Sequence, residues 1–250
     1  MDKNLIDQAA DIIINSKLTL ALTGAGISVE SGIPDFRSPG GLWTIYDPGE
    51  YATIAAFNAS PEKVWEMARE MTKLIDQAEP NSAHTGMAEL EKIGFLHHVI
   101  TQNVDNLHQD AGSKNVIEYH GNVSTLTCLQ CGKRFNRTDL PDEFPPKCIC
   151  RTRQILKPDV IFFGEAIPEE AMNKSFQLAS QAQALIVAGT SALVSPANTI
   201  PSITKQNGAK VIEINRESTH LTGTITDVFL QGDAGITMPA LVEAIKTKVG

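Results

Sequence analysis

An apolar run followed at once by a glycine-rich turn is the feature of this chain that most constrains its fold. Residues 18–22 predict a buried strand, and residues 23–27 read Thr-Gly-Ala-Gly-Ile. Glycine lets a backbone adopt angles closed to other residues and approach a ligand closely. A strand that leads through such a turn into a helix start is how α/β proteins hold phosphate groups. Gly24 and Gly26 fit two positions of the pattern G-x-G-x-x-G, but Val29 occupies the third, so the motif alone is weak.

Short apolar runs alternate with helical patterns along most of the chain, which predicts a mostly parallel sheet covered by helices on both faces. A first helix is predicted from the spacing of Ile6, Ala9, Ala10 and Ile13. Pro61 favours the start of another, because proline fits the first turn of a helix. Strands are predicted at 18–22, 96–100, 116–118, 160–163, 184–188, 211–214 and 228–230, and further helices at 168–181 and 236–249.

The composition is that of an ordinary globular protein, with 250 residues of which 42% are hydrophobic and 20% charged. The first 17 residues lack the apolar core and cleavage site of a secretory signal, and no apolar run reaches membrane-spanning length. We therefore expect a cytoplasmic protein that does not bind membranes. The net charge of −8 argues against direct nucleic-acid binding and is compatible with a partner that carries exposed lysines.

All four cysteines fall within residues 128–150, as a Cys-x-x-Cys pair at Cys128 and Cys131 and a Cys-x-Cys pair at Cys148 and Cys150. In a cytoplasmic protein such a set favours structural zinc over disulfides. The second pair is one residue shorter than the usual spacing, and the alternative is a set of reduced, buried thiols. Four thiolates leave no open coordination position, so the metal would fold a small module without taking part in a reaction.

Two stretches that lack the strand–helix alternation are interpreted as insertions into one doubly wound domain. Residues 39–82 contain loops and helices without a predicted strand, and residues 122–155 contain the cysteines. The predicted fold class is α/β. A doubly wound, Rossmann-like parallel sheet is assigned to residues 1–38, 83–121 and 156–250, with a helical insertion and a small zinc-binding module inserted into it.

Polar residues directly follow three of the predicted strands. In an open α/β sheet, ligands bind outside the carboxyl ends of the strands, so these residues should meet the glycine turn in one crevice. This arrangement predicts a nucleotide pocket that contains a candidate base. The residues are Gln102, Asn103, Asp105, His120, Gly189, Thr190 and Ser191.

Taken together, the motifs of this chain resemble those of the sirtuins, a family of NAD-dependent protein-lysine deacylases. The resemblance spans residues 18–234, and the set of motifs in this order is very specific although each one alone is not. The shared motifs are GAGIS at 24–28, GIPDFR at 32–37, TQNVDNLH at 101–108, YHGN at 119–122, the four cysteines, KPDVIFFGE at 157–165, AGTS at 188–191 and the region of Asn215.

The resemblance implies a binding site for NAD. It places the pyrophosphate on the turn 24–28 and the loop 32–42 over the cofactor, with Phe36 shielding the reactive ribose carbon from water. Asp105 would accept hydrogen bonds from the nicotinamide amide, and Asn103 would orient the ribose hydroxyls or a water. The implied NAD-binding residues are Gly24, Ala25, Gly26, Ser28, Asp35, Phe36, Arg37, Gln102, Asn103, Val104, Asp105, His120, Gly189, Thr190, Ser191, Asn215, Arg216, Asp233 and Ala234.

Among the six histidines, His120 is predicted to be the general base, because it ends a strand and precedes a glycine that leaves room for substrate. His97 and His98 are interpreted as structural, and His108 lies on the helical side of its motif. The resemblance implies that the acyl-lysine oxygen attacks the nicotinamide ribose, that His120 then removes a ribose hydroxyl proton, and that the acyl group ends on ADP-ribose. Asn103 is the second implied catalytic residue, and NAD is consumed without carrying a hydride.

The resemblance also implies a monomeric enzyme whose partner is an acetyl-lysine-bearing protein or peptide, bound as an added strand. Relatives that remove succinyl or malonyl groups carry a Tyr-x-x-Arg pair, and here Ala68 and Met71 occupy those positions. We therefore expect an acyl tunnel with an apolar end, which would disfavour a carboxylate. The implied substrate-binding residues are Val160, Phe162, Phe163, Gly164, Glu165, Leu193 and Val194.

Other functions remain as alternatives. An NAD-linked dehydrogenase would need the third glycine and an acidic residue about 20 positions further on. The chain lacks that glycine, and no clear acidic residue ends a second strand. A zinc-ribbon binding module beside an inactive nucleotide domain is disfavoured by the presence of both Asn103 and His120. Transfer of ADP-ribose to another nucleophile remains open as a main or side activity.

Overall fold

The structure, a computed structural model, describes residues 2–250 as nine strands and nine α-helices joined by loops and single 3₁₀ turns. The strands are β1 (Thr19–Thr23), β2 (His98–Thr101), β3 (Val116–Glu118), β4 (Gly121–Thr127), β5 (Arg134–Asn136), β6 (Lys157–Val160), β7 (Ala184–Ala188), β8 (Lys210–Asn215) and β9 (Val228–Gln231). The helices are α1 (Lys3–Ile14), α2 (Pro48–Tyr51), α3 (Ile54–Ala59), α4 (Pro61–Gln77), α5 (Ser82–Lys92), α6 (Leu107–Asp110), α7 (Glu169–Gln181), α8 (Ile200–Gln206) and α9 (Ala234–Val249).

Six strands form a parallel sheet in the order β3-β2-β1-β7-β8-β9. Leu22 of β1 lies in register with Ile100 of β2 on one side and with Val187 of β7 on the other. The chain therefore winds outward from β1 in one direction and from β7 in the other. The reversal between these two strands opens a crevice at their carboxyl ends, where open α/β sheets bind ligands. The predicted doubly wound, Rossmann-like fold is confirmed.

The parallel sheet is buried on both faces, and every residue of β1 and β7 is buried. Alternate residues of each strand point to opposite faces, which creates two apolar clusters. Ala21 and Ile186 face α1, α5 and α9, whereas Leu20 and Leu185 face α7 and α8. The face of α1 predicted from sequence is buried in the first cluster.

A second, antiparallel sheet of three strands has β4 at its centre, between β5 and β6. The predicted strand at 160–163 is displaced in the structure, since the strand is Lys157–Val160 and pairs with β4 outside the parallel sheet. Only Val160 of the predicted run pairs there. Phe162 and Phe163 instead leave the strand, and Phe162 packs 5.8 Å from the ring of Phe57.

The stretch 39–82 contains α2, α3 and α4 without a strand, as predicted. Trp65 of α4 joins it to the small sheet, because its Nε1 donates a hydrogen bond to the Leu156 carbonyl at 2.8 Å and its ring packs in the same apolar cluster as Leu126. The boundaries of the three predicted units remain a prediction. Within residues 2–250, no helix has both the length and the apolar character that a membrane crossing requires.

Candidate functional site

One continuous cavity of about 990 Å³ runs from the carboxyl ends of the central parallel strands to the space between α4 and the small sheet. A cavity of this volume is at the upper end of the range for small-molecule sites. All of the predicted site residues outside the zinc module line it except Asp233, which forms an ion pair with Arg216. The sequence motifs therefore converge on one site, as the strand-end argument predicted.

The glycine turn after β1 packs directly against the loop after β7. The Gly26 amide donates a hydrogen bond to the Gly189 carbonyl at 2.8 Å, and a Cβ on Gly189 would lie 2.3 Å from the Ile27 nitrogen. Gly189 also has a φ of +61°, so a side chain there is excluded both by the clash with Ile27 and by the backbone conformation. The predicted helix start is replaced by two single 3₁₀ turns, Ala25–Ile27 and Val29–Ser31.

The loop 32–42 lies beside the cavity and is held by hydrogen bonds between its own residues. Asp35 accepts hydrogen bonds from the Arg37 amide at 3.0 Å and from the Ser38 amide at 2.8 Å. Burial alone would raise the pKa of Asp35, but these hydrogen bonds and that of the Ser38 hydroxyl hold it below its usual value. The rings of Phe36 and Trp43 lie 5.0 Å apart, so the loop presents an aromatic wall to the cavity.

A buried chain of hydrogen bonds connects the polar residues after β1 and β2. Asn103 Nδ2 donates to Ser28 Oγ at 3.0 Å, and Ser28 Oγ donates to Asp105 Oδ2 at 2.7 Å. The other carboxylate oxygen of Asp105 accepts the Leu107 amide at 3.0 Å. His84, which the motifs did not single out, lies 3.5 Å from Ser28 Oγ, and burial lowers its pKa to about 4 against the opposing charge of Asp105.

His120 is held at the junction of the two sheets. Its Nδ1 lies 3.2 Å from the Gln102 carbonyl, which can only accept, so Nδ1 carries the proton and Nε2 is left as a free acceptor. Burial lowers the pKa of His120, and the hydrogen bond to Gln102 partly opposes this shift. A neutral imidazole with a free nitrogen is the form that a general base needs.

Three other histidines, His97, His98 and His108, lie in surroundings that differ from that of His120. His97 Nδ1 accepts a hydrogen bond from the Thr19 amide at 3.1 Å, as expected for a structural residue, and His98 is half-buried. His108 is 1% exposed and lies 3.0 Å from Thr23 Oγ1. Burial, assisted by the neighbouring His84, lowers the pKa of His108 to about 3, and the residue does not line the cavity.

The segment after β6 forms one rim of the cavity and is anchored by a partly buried ion pair. Lys157, which is 5% exposed, lies 2.9 Å from Glu165 and also donates to the Val160 carbonyl at 2.8 Å. The Phe163 amide donates to the Ala52 carbonyl at 2.8 Å, so the backbone of Phe163 is already paired. The facing rim carries Leu193 and Val194, and the Leu193 side chain is 59% exposed.

The end of the cavity between α4 and the small sheet is mainly apolar, with Ala68, Met71 and Ile75 on the helix side. Arg137 also lines this part, which differs from the expectation of a purely apolar end. Its Nη1 donates to Asp76 at 2.9 Å and its Nη2 donates to the other oxygen of the same carboxylate. The guanidinium is therefore already paired with a carboxylate from the protein.

Asn215, the last residue of β8, and Arg216, which follows it, line the other end of the cavity. Asn215 Nδ2 donates to the Thr190 carbonyl at 3.1 Å and so links the loops after β8 and β7. Glu217, Ser218 and Thr219 line the same end, although no motif singled them out.

The four cysteines, which lie outside the cavity, bring their Sγ atoms within 4.8 Å of one another, and those of Cys131 and Cys148 are 3.7 Å apart. A tetrahedral zinc with Zn–S bonds of about 2.3 Å requires sulfur atoms about 3.8 Å apart, so this donor set fits zinc. The Gly132 amide donates to the Cys128 carbonyl at 2.9 Å, which closes the tight turn of the first pair. The short Cys-x-Cys spacing at Cys148 and Cys150 does not prevent the four sulfurs from converging.

Comparison with known proteins agrees with this geometry. The model of the Sir2 family matches residues 24–196, from the glycine turn to the loop after β7. The chain belongs to the Sir2 family. A relative from Pyrococcus furiosus, named NAD-dependent protein deacylase, is 46% identical over 97% of this chain and 98% of its own length.

Solved Sir2 structures match the whole architecture. A Sir2 homologue in complex with NAD has a TM-score of 0.89 and 43% identity, covering 100% of this chain and 96% of that chain. A Sir2 variant with a deacetylated p53 peptide and 3′-O-acetyl-ADP-ribose has a TM-score of 0.90 and 37% identity, covering 95% of this chain and 97% of that chain. The sirtuin resemblance read from the motifs is thereby confirmed, while the roles of individual residues in this Sir2 protein remain predictions.

Proposed function

We propose that this Sir2 protein is an NAD-dependent protein-lysine deacylase. It transfers the acetyl or another apolar acyl group from lysine to ADP-ribose, and it releases nicotinamide and O-acyl-ADP-ribose. The proposal is supported by the Pyrococcus furiosus relative and by the Sir2 structures with NAD and with acetyl-ADP-ribose. The observation in this chain that carries it is the placement of His120, with a free Nε2, in the cavity that the NAD motifs also line.

His120 acts as the general base. Its neutral form takes a proton from a ribose hydroxyl after the acyl oxygen has displaced nicotinamide from the ribose carbon. That hydroxyl then attacks the acyl carbon, and the lysine amine leaves with the uptake of one water. The hydrogen bond from Nδ1 to Gln102 fixes the ring orientation and keeps Nε2 unprotonated. Asn103, held by Ser28, assists by orienting the ribose hydroxyls or a water.

The residues after β1 and β7 hold the dinucleotide. The turn 24–28 approaches the pyrophosphate closely and offers it the Ala25 amide, because the other amides of the turn already donate to carbonyls of the protein. The loop 32–42 covers the reactive ribose carbon with Phe36. Asp105 receives the nicotinamide amide through the lone pairs that Ser28 and Leu107 leave free. The other end of the cavity holds the adenosine, and Asp233 acts there through its ion pair with Arg216.

The substrate peptide binds as an extended strand between the rims at 163–165 and 193–195. Because the Phe163 amide and carbonyl already pair with Ala52 and Ile54, the pairing groups on this rim are those of Gly164. Lys157 and Glu165 anchor the rim through their partly buried ion pair. Backbone pairing of this kind reads little sequence, so it does not by itself select the target protein.

The acyl tunnel accepts apolar groups. Ala68 and Met71 leave the helix side of the tunnel without a cation, and the guanidinium of Arg137 is already neutralised by Asp76. A succinyl carboxylate placed there would lose its hydration and would have to share the Arg137 guanidinium with Asp76, since only Nε of that guanidinium is left without a partner; this disfavours it.

The role of zinc in this proposal is structural. Held by Cys128, Cys131, Cys148 and Cys150, it would fold the segment around β4 and β5 without entering the reaction. The cysteine chemistry suits a reducing compartment, so we assign the enzyme to the cytoplasm. We assign its oligomeric state as a monomer.

The proposal is tested by incubating the protein with NAD and a matched pair of peptides, one acetylated on lysine and one unmodified. Nicotinamide release that depends on the acetylated peptide is the expected result. Loss of a general base costs about 100-fold or more, so the His120→Ala variant should form deacetylated peptide at least that much more slowly. Nicotinamide release that is independent of the acetyl group, or reduction of NAD, would refute the proposal.

A further inference from the structure

A carboxylate buried beneath the adenosine end of the cavity has no role in the reaction described above. Glu213 lies on β8, is 0% exposed and accepts three hydroxyl hydrogen bonds. Thr219 Oγ1 donates to Oε1 at 2.6 Å, Thr222 Oγ1 donates to Oε2 at 2.7 Å, and Thr226 Oγ1 donates to Oε2 at 2.8 Å. Among residues 2–250, no lysine or arginine forms an ion pair with this carboxylate.

All three hydroxyls belong to the segment 216–226, which has no helix or strand. Two of the hydroxyls also accept a backbone amide, since Thr219 Oγ1 accepts from Leu221 at 3.1 Å and Thr222 Oγ1 accepts from Thr219 at 3.0 Å. The carboxylate therefore fixes the backbone of the loop through its threonines. A buried carboxylate is costly unless hydrogen bonds satisfy it, so the loop and Glu213 stabilise each other.

The loop 216–226 borders the cavity directly. Glu217, Ser218 and Thr219 line the end of the cavity that we assign to adenosine. Asn215, two residues along the same strand, also lines it, and its Nδ2 lies 3.5 Å from Glu213 Oε1. Glu213 itself, together with Thr222 and Thr226, does not line the cavity.

We propose that Glu213 is a positioning residue for the adenosine end of NAD. It touches no part of the dinucleotide and acts by holding loop 216–226 through Thr219, Thr222 and Thr226. This inference rests on the proposed function, because it takes NAD as the ligand of the cavity. Weakening the carboxylate–threonine bonds should therefore weaken binding of NAD while leaving peptide binding and the chemical step at His120 unchanged.

The sharpest test compares two threonines of the same loop. Thr226→Val removes a donor to Glu213, whereas in the matched control Thr224→Val the lost hydroxyl donates only to the His220 and Leu221 carbonyls. Neither side chain lines the cavity. For Thr226→Val we expect the KM for NAD and the Kd for ADP-ribose to rise about tenfold, the scale of one lost hydrogen bond to a charged group. For Thr224→Val both should stay within about twofold of the wild type, since its bonds are to neutral carbonyls on a loop surface.

Glu213→Gln provides a second measurement, since glutamine keeps the shape and loses acceptor capacity. We expect the same rise in the KM for NAD, with kcat at saturating NAD and the KM for the acyl peptide unchanged. In the double variant with Thr226→Val the two effects should not add, because both break the same contact. Equal effects of Thr224→Val and Thr226→Val, or a fall in kcat with an unchanged KM for NAD, would overturn the inference. Binding of ADP-ribose is measured without turnover, so a wild-type protein that binds it but does not deacylate would refute the proposed function alone.

Discussion

A single added methyl group at Gly121 is predicted to damage both the stability and the activity of this protein. Gly121 follows His120 and begins β4, with a φ of +73°. A Cβ at this position would lie 1.9 Å from the Asp159 carbonyl oxygen on the paired strand β6. Gly121→Ala therefore combines a left-handed backbone conformation with a direct clash between strands.

The size of the effect follows from these two contributions. A left-handed conformation costs alanine about 1–2 kcal/mol, and overpacking typically costs a further 1–3 kcal/mol, which gives roughly 2–5 kcal/mol in all. The Asp159 carbonyl must move from 1.9 to at least 3.0 Å, a shift of about 1 Å. This shift would disturb the neighbouring bond from the Ile161 amide to the His120 carbonyl. A displacement of about 1 Å at a catalytic group can cost about 100-fold in rate.

Gly94→Ala is the matched control, because Gly94 has a φ of +84° with no atom within 4 Å of the added Cβ. Unfolding by denaturant, and kcat/KM on an acetyl-lysine peptide, should be measured for both variants. Gly94→Ala should lose about 1–2 kcal/mol of unfolding free energy and keep its activity. Gly121→Ala should lose at least twice as much and most of its activity. Equal stability and equal activity of the two variants would show that the β4–β6 contact does not position His120.

Further predictions concern the metal, the base, the acyl tunnel and a buried hydroxyl. Chelation at neutral pH should release one zinc per chain and unfold the segment around β4 and β5, as seen by metal analysis and circular dichroism; a metal-free, stable and active protein would contradict this. Because burial lowers the pKa of His120, its neutral form persists in mild acid. The acid limb of the kcat/KM profile should therefore have its midpoint below about 6.5, the pKa of a free histidine. A midpoint above that pKa would contradict the assignment of His120 as the base. On one peptide, succinyl-lysine should react about 100-fold more slowly than acetyl-lysine, and comparable rates would refute the account of the tunnel. Tyr119 is fully buried and its hydroxyl has no partner within residues 2–250, so Tyr119→Phe should raise the unfolding free energy by about 1 kcal/mol; a loss of stability would indicate a bound water there.

The parallel sheet was predictable because its strands are continuous apolar runs flanked by glycine turns or polar loops. Residues 184–188 are buried throughout and were predicted with the observed bounds. The strand β4 was not predicted, since its burial alternates weakly and one of its two pairing partners, β6, is distant in sequence. The run 160–163 looked like a strand because it is apolar, but Phe162 and Phe163 bury part of that surface against other aromatic rings.

The convergence of the site was predictable for a different reason. Polar residues that follow parallel strands meet at one edge of a sheet, so Gln102 and Thr190, 88 positions apart, hydrogen-bond at 3.0 Å. The sequence pattern could not indicate side-chain contacts made by irregular loops. Arg137 in the tunnel wall and the threonines around Glu213 have no signal in spacing, because they depend on how loops pack.

The central claim is that the acyl group moves from lysine to ADP-ribose at the cost of one NAD. The most direct test is to quantify all products by mass spectrometry after the wild-type protein has reacted with NAD and an acetyl-lysine peptide. We predict equal amounts of nicotinamide, deacetylated peptide and O-acetyl-ADP-ribose. Free acetate with unchanged NAD, reduced NAD, or a peptide that has gained ADP-ribose while keeping its acetyl group would contradict the account.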